Sequence, residues 1–85
     1  MKHLITYDLH NPGQNYQSLI SAIELLGTAK RISGSCWAVK TNLSSGQILN
    51  FLACFLDCND HLFVCPFGSY AVINCKQEVI AWLNN

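Results

Sequence analysis

The sequence predicts an α+β fold in which two helices pack on one face of a four-stranded sheet, and three observations lead to this prediction. The chain has 85 residues, of which 51% are hydrophobic and only 12% charged, so it can bury a core and is not disordered. Short apolar runs rich in strand formers alternate with two stretches whose apolar residues repeat at helical spacing. Glycine, proline, asparagine and serine separate these segments.

In the first third of the chain, the sequence pattern predicts a strand followed by a helix. Residues 2–9 are too few for a helix and rich in strand formers, which indicates a buried strand. The Asn-Pro-Gly segment at 11–13 then predicts a turn. Five apolar residues after it share the spacing of one helical stripe: Tyr16, Leu19, Ile20, Ile23 and Leu26. We expect Gly27 to end this helix in a left-handed C-cap.

The middle of the chain predicts two paired strands. The runs 28–32 and 36–40 are strand-like and lie on either side of a Ser-Gly turn signal at 33–34. Ser44 with Gln47 three residues later has the pattern of a capping box, which predicts that a second helix begins there. Its apolar stripe consists of Ile48, Phe51, Leu52 and Phe55.

The last third predicts a fourth strand and a short extension. Residues 61–65 are a continuous apolar run typical of a buried strand, and Pro66 indicates that it lies at a sheet edge or ends there. Residues 70–75 are interpreted as a further short strand and residues 76–83 as a closing helix. The residues expected in the core are Leu4, Ile23, Phe51, Phe55 and Phe63.

The resulting order, β-α-β-β-α-β with a β-α tail, is that of a ferredoxin-like sandwich. We expect one domain over residues 1–85, with its core at 1–67 and a C-terminal extension at 68–85. This arrangement leaves the second face of the sheet in need of cover. Together with the low charge, it favours a homodimer through that face or through an edge strand.

Composition also limits the compartment and the partners. Five Lys and Arg balance five Asp and Glu, so no overall positive field attracts nucleic acid or a membrane surface. The N-terminus lacks the pattern of a signal peptide, and no apolar run is long enough to span a bilayer. These features predict a cytoplasmic protein without a membrane partner.

The five cysteines lie within apolar stretches and are odd in number, so we expect buried thiols rather than a disulfide framework. Cys54, Cys58, His61 and Cys65 are spaced so that they could converge on zinc. They contain no C-x-x-C pair, however, and apolar residues lie between them, so structural thiols are the favoured interpretation.

Three segments resemble a known family. Residues 5–9 (Ile-Thr-Tyr-Asp-Leu) resemble its opening strand, Arg31-Ile32 with 35–39 resembles its second and third strands, and 60–64 resembles its last core strand. The family is the small CRISPR-associated endoribonuclease-like proteins, which are ferredoxin-like dimers that partner the spacer integrase in antiviral defence. Short stand-alone relatives that carry Tyr-Asp-Leu and then Asn-Pro-Gly are more similar still. The resemblance covers residues 1 to about 67.

The resemblance implies a symmetric dimer in which the aspartates of the two first strands face each other near the two-fold axis. By position this aspartate is Asp8, which would hold Mg²⁺ or Mn²⁺ and act as the catalytic residue of a nuclease, a hydrolase of phosphodiesters. A carboxylate after an apolar strand also suits a cation on general grounds. The alternative is that Asp8 caps the turn at 11–13 through local hydrogen bonds.

Other residues have two interpretations each. Lys30, Arg31 and Lys40 form a local basic group that could contact phosphate, or they could be a solvated rim. His10 could act as a general base beside Asp8, although an exposed loop position is favoured. Trp37 could stack a base, although a core or dimer contact is favoured because its neighbours are apolar.

Two classes of function follow. The first is a metal-dependent endonuclease that uses Asp8 from each subunit. The second is a non-catalytic homodimeric interaction module, a scaffold or regulator of a defence system, that binds a protein partner. The neutral net charge and the absence of basic residues from the first helix favour the second class, whereas the position of Asp8 favours the first.

Overall fold

The fold is α+β, with an open antiparallel sheet of four strands and three helices, in a computed structural model that describes residues 1–10 and 16–85. The turn expected at 11–13 lies outside the described residues. The elements are β1 (Lys2–Asp8), α1 (Gln17–Leu25), β2 (Thr28–Ser33), β3 (Cys36–Lys40), α2 (Ser45–Ala53), β4 (His61–Phe67) and α3 (Gln77–Asn84). Within these residues, no helix has the length and apolar character that crossing a membrane requires.

The strands lie in the order β2-β3-β1-β4, and each neighbouring pair is antiparallel. β4 is therefore an edge strand, as Pro66 predicts, because proline lacks the amide that a central strand needs. The capping box also forms: Ser44 Oγ accepts a hydrogen bond from the Gln47 amide at 3.1 Å, and Gln47 Oε1 accepts one from the Ser44 amide at 2.9 Å.

Helices pack against both faces of the sheet, but the second face is covered only in part. Successive side chains of a strand point to opposite faces. The first face packs against α1 and α2 in the main core cluster, which consists of Ile5, Tyr7, Leu19, Ala22, Ile23, Trp37, Val39, Ile48 and Leu52. The second face packs against α3 in a smaller cluster, in which Ala38, Val79 and Leu83 are buried. The C-terminal extension thus supplies part of the cover that the second face needs.

The structure corrects two of the five expected core residues. Ile23 is fully buried and Phe55 packs at the margin of the main cluster, and Leu4 is half-buried. Phe51 is 41% exposed and Phe63 is 61% exposed, so the prediction that they are core residues is wrong. Phe51 lies at the edge of the α2 stripe, and Phe63 lies on the second face beyond the reach of the α3 cluster.

Two further expectations fail. Residues 70–75 form no strand, and the chain between β4 and α3 instead includes Asn74 with a positive φ of 60°. A hydrogen-bonded strand therefore does not precede α3. Gly27 does not adopt a left-handed C-cap, because among the described glycines none has a positive φ. The C-cap of α1 is Leu26, in right-handed conformation.

Gly27 is required for a different reason, which is the close approach of its backbone to β3. A Cβ at this position would lie well inside van der Waals contact with the backbone carbonyl oxygen of Lys40. We therefore expect Gly27→Ala to destabilise the fold by about 1–3 kcal/mol, the usual cost of overpacking. Gly34→Ala is the matched control, since a Cβ there meets nothing within 4 Å. Urea unfolding measures both, and equal stabilities for the two variants would contradict the close approach.

Candidate functional site

Asp8 is the last residue of β1, and its side chain is exposed on the second face of the sheet. In the antiparallel register of β1 and β4 it lies directly opposite His61. Directly opposed residues of an antiparallel pair have Cβ atoms about 5 Å apart. The imidazole that the fold places beside Asp8 is therefore that of His61, which the sequence alone did not single out for this role.

A shallow depression of about 310 Å³ surrounds this pair at the end of the sheet. Phe63 is in register with Thr6 and forms its apolar wall. The residues that line the depression are Thr6, Tyr7, Asp8, His61, Leu62 and Phe63. A carboxylate, an imidazole and an exposed aromatic ring thus share one open surface, which we call the Asp8 surface.

The Asp8 carboxylate makes no hydrogen bond or ion pair within the described part of the chain. The hydrogen bonds by which Asp8 would cap the turn at 11–13 lie outside the described residues, and no described residue occupies the lone pairs of this carboxylate. In residues 1–10 and 16–85, no three side chains of the ligand types His, Cys, Asp and Glu come close enough together to hold a metal ion. The described residues alone therefore do not supply three such ligands beside Asp8.

Asp60 is a second carboxylate near this end of the sheet, and the sequence analysis assigned it no role of its own. Its side chain accepts hydrogen bonds from the backbone amides of His10 at 2.9 Å and Asp57 at 2.8 Å. It also accepts one from the Tyr16 hydroxyl, at 3.0 Å to Oδ1. Asp60 therefore ties the end of β1 and the start of α1 to the turn before β4.

These hydrogen bonds favour the ionised form of the Asp60 carboxyl. The His10 amide contributes most to lowering the pKa of its carboxyl below the ordinary value of 3.8, and the Asp57 amide and Tyr16 hydroxyl add to the effect. Because the pKa is lower in the folded than in the unfolded chain, ionised Asp60 stabilises the fold above the unfolded-state pKa. That stabilisation is lost as the pH falls through the folded-state pKa.

We therefore expect Asp60→Asn to weaken the dependence of the free energy of unfolding on pH in acid. In the wild type, the free energy of unfolding should fall as the pH decreases below about 4, the unfolded-state pKa of aspartate. The variant should be less stable than the wild type near neutral pH and should lose less stability in acid. Urea unfolding at a series of pH values measures this, with the exposed Glu24→Gln as control. If the free energy of unfolding depends on acid pH in Asp60→Asn as it does in the wild type, the proposed role of these hydrogen bonds is contradicted.

The three basic candidates do not form one patch. Arg31 lies on the first face, where its guanidinium is 5.3 Å from the centre of the Trp37 ring and donates a hydrogen bond to the Gly34 carbonyl at 2.9 Å. Lys30 and Lys40 lie on the second face, and both contact α3. Arg31 is separated from the two lysines because consecutive residues of a strand point to opposite faces of the sheet.

Trp37 and His10 lie where the favoured interpretation of each predicts. Trp37 was expected in a core or dimer contact, and His10 in an exposed loop position. Trp37 is buried in the main core cluster, and its Nε1 donates a hydrogen bond to the Tyr7 hydroxyl at 3.2 Å. His10 is exposed beyond the end of β1. Neither side chain lines the depression beside Asp8.

The cysteines are less uniform than expected. Cys54 and Cys58 are exposed, so the prediction that every thiol is buried is wrong for these two. They lie at and beyond the end of α2, outside its buried stripe. Cys36 is half-buried, and burial, followed by the proximity of Cys75, raises the pKa of its thiol. All five cysteines are free thiols.

His3 is a buried imidazole that the sequence analysis did not single out. It is 2% exposed, and its Nδ1 atom has no hydrogen-bond partner in the described part of the chain. Burial, followed by the positive charge of the N-terminus, lowers the pKa of this imidazole. His3 is in register with Val39 and Pro66 and belongs to the packed interior rather than to the Asp8 surface.

No protein-family model matches this chain, and no curated protein matches it. The class of molecule that the geometry defines is a small α+β protein with an exposed carboxylate at the end of its sheet. Its function is therefore inferred from the residues of that surface.

Proposed function

We propose that this protein is a ferredoxin-like homodimer that cleaves nucleic acid phosphodiesters with a divalent metal ion. The observation that carries the proposal is the Asp8 carboxylate, which is exposed, without a partner in the described residues, and adjacent to an exposed aromatic ring. The resemblance of residues 1–67 to the CRISPR-associated endoribonuclease-like proteins supports the same assignment. The strand order β2-β3-β1-β4, with α1 and α2 on one face, supports the ferredoxin-like topology.

The exposed phenyl ring of Phe63 supports association through the Asp8 surface. A side chain of this size with 61% of its surface in water gains free energy when a second copy covers it. A two-fold axis near Thr6 and Phe63 would bring the two Asp8 carboxylates together. Two adjacent carboxylates repel each other, and a bridging cation removes that repulsion.

The residues present would fit Mg²⁺ or Mn²⁺ in such a dimer. Asp8 of each copy would supply carboxylate oxygens and water would complete the shell, which is the usual coordination of Mg²⁺ in proteins. When bound, such an ion polarises a phosphate oxygen and lowers the pKa of a water ligand. His61, opposite Asp8 in register, is positioned to accept a proton from a water molecule at this surface.

Dimerisation can be tested with one pair of variants. We expect light scattering at micromolar concentration to give twice the chain mass of 9.5 kDa for the wild type. Phe63→Glu should give the monomer, because it places a charge in an interface of about 1,200 Å² or more. Leu25→Glu is the control, since Leu25 is 78% exposed but lies on α1, away from the Asp8 surface. A monomeric wild type would contradict both the dimer and the shared aspartate site.

A second function is favoured by the apolar exposure and the charge of the molecule. Phe63, Ile73 and Val72 are exposed by 61%, 83% and 39%, and the formal net charge is zero. These features suit a non-catalytic module whose partner is another protein. The two functions differ in one measurement, which is metal-dependent cleavage.

The deciding experiment incubates the purified full chain with single-stranded RNA and with duplex DNA. If the nuclease proposal is correct, cleavage should require Mg²⁺ or Mn²⁺ and stop when a chelator is added. If no substrate is cleaved with either ion, while the protein remains a folded dimer, the nuclease proposal is wrong, and tight binding to a protein partner is then the result that the interaction module predicts.

A further inference from the structure

Two lysines lie side by side on the second face of the sheet, far from Asp8. Lys2 of β1 and Lys40 of β3 are directly opposite each other in the antiparallel register, and Phe67 of β4 is opposite Lys2 on its other side. Because opposed residues point to the same face, two ammonium groups and one phenyl ring form a single row across three strands. Like charges that are directly opposite are destabilising unless something compensates them.

The C-terminus of α3 provides part of this compensation. Lys40 Nζ donates a hydrogen bond to the Trp82 carbonyl at 2.9 Å, and Lys2 Nζ donates one to the Leu83 carbonyl. The Lys40 ammonium also lies 4.3 Å from the centre of the Trp82 ring. The end of a helix carries the equivalent of about half a negative charge, which is less than the two positive charges it meets.

Hydrogen-bond donors of both ammonium groups therefore remain. An ammonium group has three donors, and the structure records one hydrogen bond for each lysine. Among the described residues, neither Lys2 nor Lys40 has a carboxylate in ion-pair contact. Lys30, on the same face, differs because its ammonium is 3.7 Å from the Glu78 carboxylate.

The two lysines adjoin an open cavity with a volume of about 710 Å³. Its lining combines both lysines with apolar side chains on the β4 side. The lining residues are Met1, Lys2, Lys40, Pro66, Phe67, Gly68 and Asn85. Cationic donors on one wall and apolar groups on another suit an anion that is attached to an organic group.

We propose that Lys2 and Lys40 form a binding site for a phosphate group, with Phe67 and Pro66 contacting the organic part of the phosphoester. Two ammonium groups on one row match the charge and the several acceptor oxygens of a phosphate. Asp8 is six residues from Lys2 along β1, or roughly 20 Å in an extended strand. The phosphate site is therefore separate from the Asp8 surface and does not depend on the nuclease proposal.

The test is a titration of the ¹⁵N-labelled full chain with sodium phosphate, compared with sodium chloride at equal ionic strength. Phosphate should cause saturable amide shifts at Lys2, Lys40 and Phe67 that chloride does not cause. Lys2→Gln and Lys40→Gln should each weaken phosphate binding by about tenfold, which is one lost charge contact of ~1.4 kcal/mol. Lys30→Gln is the matched control and should bind as the wild type does.

A second variant separates phosphate binding from the support of α3. Lys40→Arg keeps the charge, so it should retain phosphate binding, and the amide spectrum shows whether α3 remains folded in every variant. Equal shifts with phosphate and chloride, or an equal loss of affinity in Lys30→Gln, would overturn the site.

The source of the phosphate is distinguished by two further ligands. Adenosine monophosphate should bind more tightly than inorganic phosphate if the site serves small phosphoesters, with the largest additional shifts at Phe67. A single-stranded oligonucleotide that binds more tightly than the mononucleotide, with a steep dependence on salt, would identify nucleic acid as the source. If neither ligand shifts the Lys2 and Lys40 amides, the proposed site is wrong.

Discussion

Leu52→Ala should lower the free energy of unfolding by about 2–5 kcal/mol, whereas Phe51→Ala, at the neighbouring position, should lower it by only about 1–2 kcal/mol. Leu52 is fully buried in the main core cluster, so truncation leaves a cavity. Phe51 is 41% exposed, and its ring packs edge-to-face against that of Phe55 at 5.7 Å between ring centres. Truncating it loses this contact but opens no enclosed space.

Urea unfolding of both variants, with m-values checked against the wild type, measures the difference. From the α2 stripe alone, Phe51→Ala would be expected to lower the free energy of unfolding more than Leu52→Ala does, because phenylalanine is the larger side chain. If Phe51→Ala destabilises the protein as much as Leu52→Ala, the placement of α2 on the first face is incorrect.

Asp8→Asn should abolish metal-dependent cleavage, if the nuclease proposal is correct, while leaving the fold and the dimer intact. The amide keeps the shape of the side chain but removes the charge that would hold the cation. Because Asp8 is exposed and has no partner in the described residues, its replacement breaks no hydrogen bond there. In the absence of metal, the variant dimer should be as stable as the wild type or more stable, since the repulsion between two carboxylates is removed.

Cleavage assays with Mg²⁺ and Mn²⁺, paired with light scattering, provide both measurements for Asp8→Asn. His10→Ala is the control, because His10 is exposed but does not line the depression beside Asp8, and it should lose little activity. Cleavage that is equally strong in the wild type and in Asp8→Asn would indicate a contaminating nuclease. The catalytic role of Asp8 would then have to be abandoned.

The elements that the sequence predicts well are those whose signals are local. The capping box of Ser44 and Gln47 forms as its spacing indicates, because both partners lie within one helical turn. Pro66 lies on an edge strand, since the constraint is carried by the residue itself. The helices α1 and α2 follow their apolar stripes to within a few residues of the expected bounds.

The failed predictions depend on information that is not local. β4 contains a continuous apolar run, so alternation does not reveal which of its residues face the core, and the pairing with β1 places Phe63 on the second face. Residues 70–75 have strand propensity but pair with no strand of the sheet, because propensity alone does not decide tertiary pairing.

In the candidate site, too, local features were predictable and features that depend on the tertiary fold were not. The position of Asp8 at the end of β1 was predictable from the strand pattern. Its neighbour His61 was not, because the pairing of two residues that are 53 positions apart in sequence is fixed only by the tertiary fold. The separation of Arg31 from Lys30 and Lys40 is likewise a consequence of alternation and of the position of α3.

The division of the interior into two clusters has a consequence for the order in which the protein is made. Every member of the main cluster, together with the side chains packed against it, lies between residues 5 and 64. The ribosome therefore synthesises all of these residues before it synthesises α3 (Gln77–Asn84). Chains are synthesised at about 5–20 residues per second, which is slow compared with helix and hairpin formation. The residues of the first core therefore emerge from the ribosome before α3 does, so the second face, including Ala38, is the part of the sheet that is covered last.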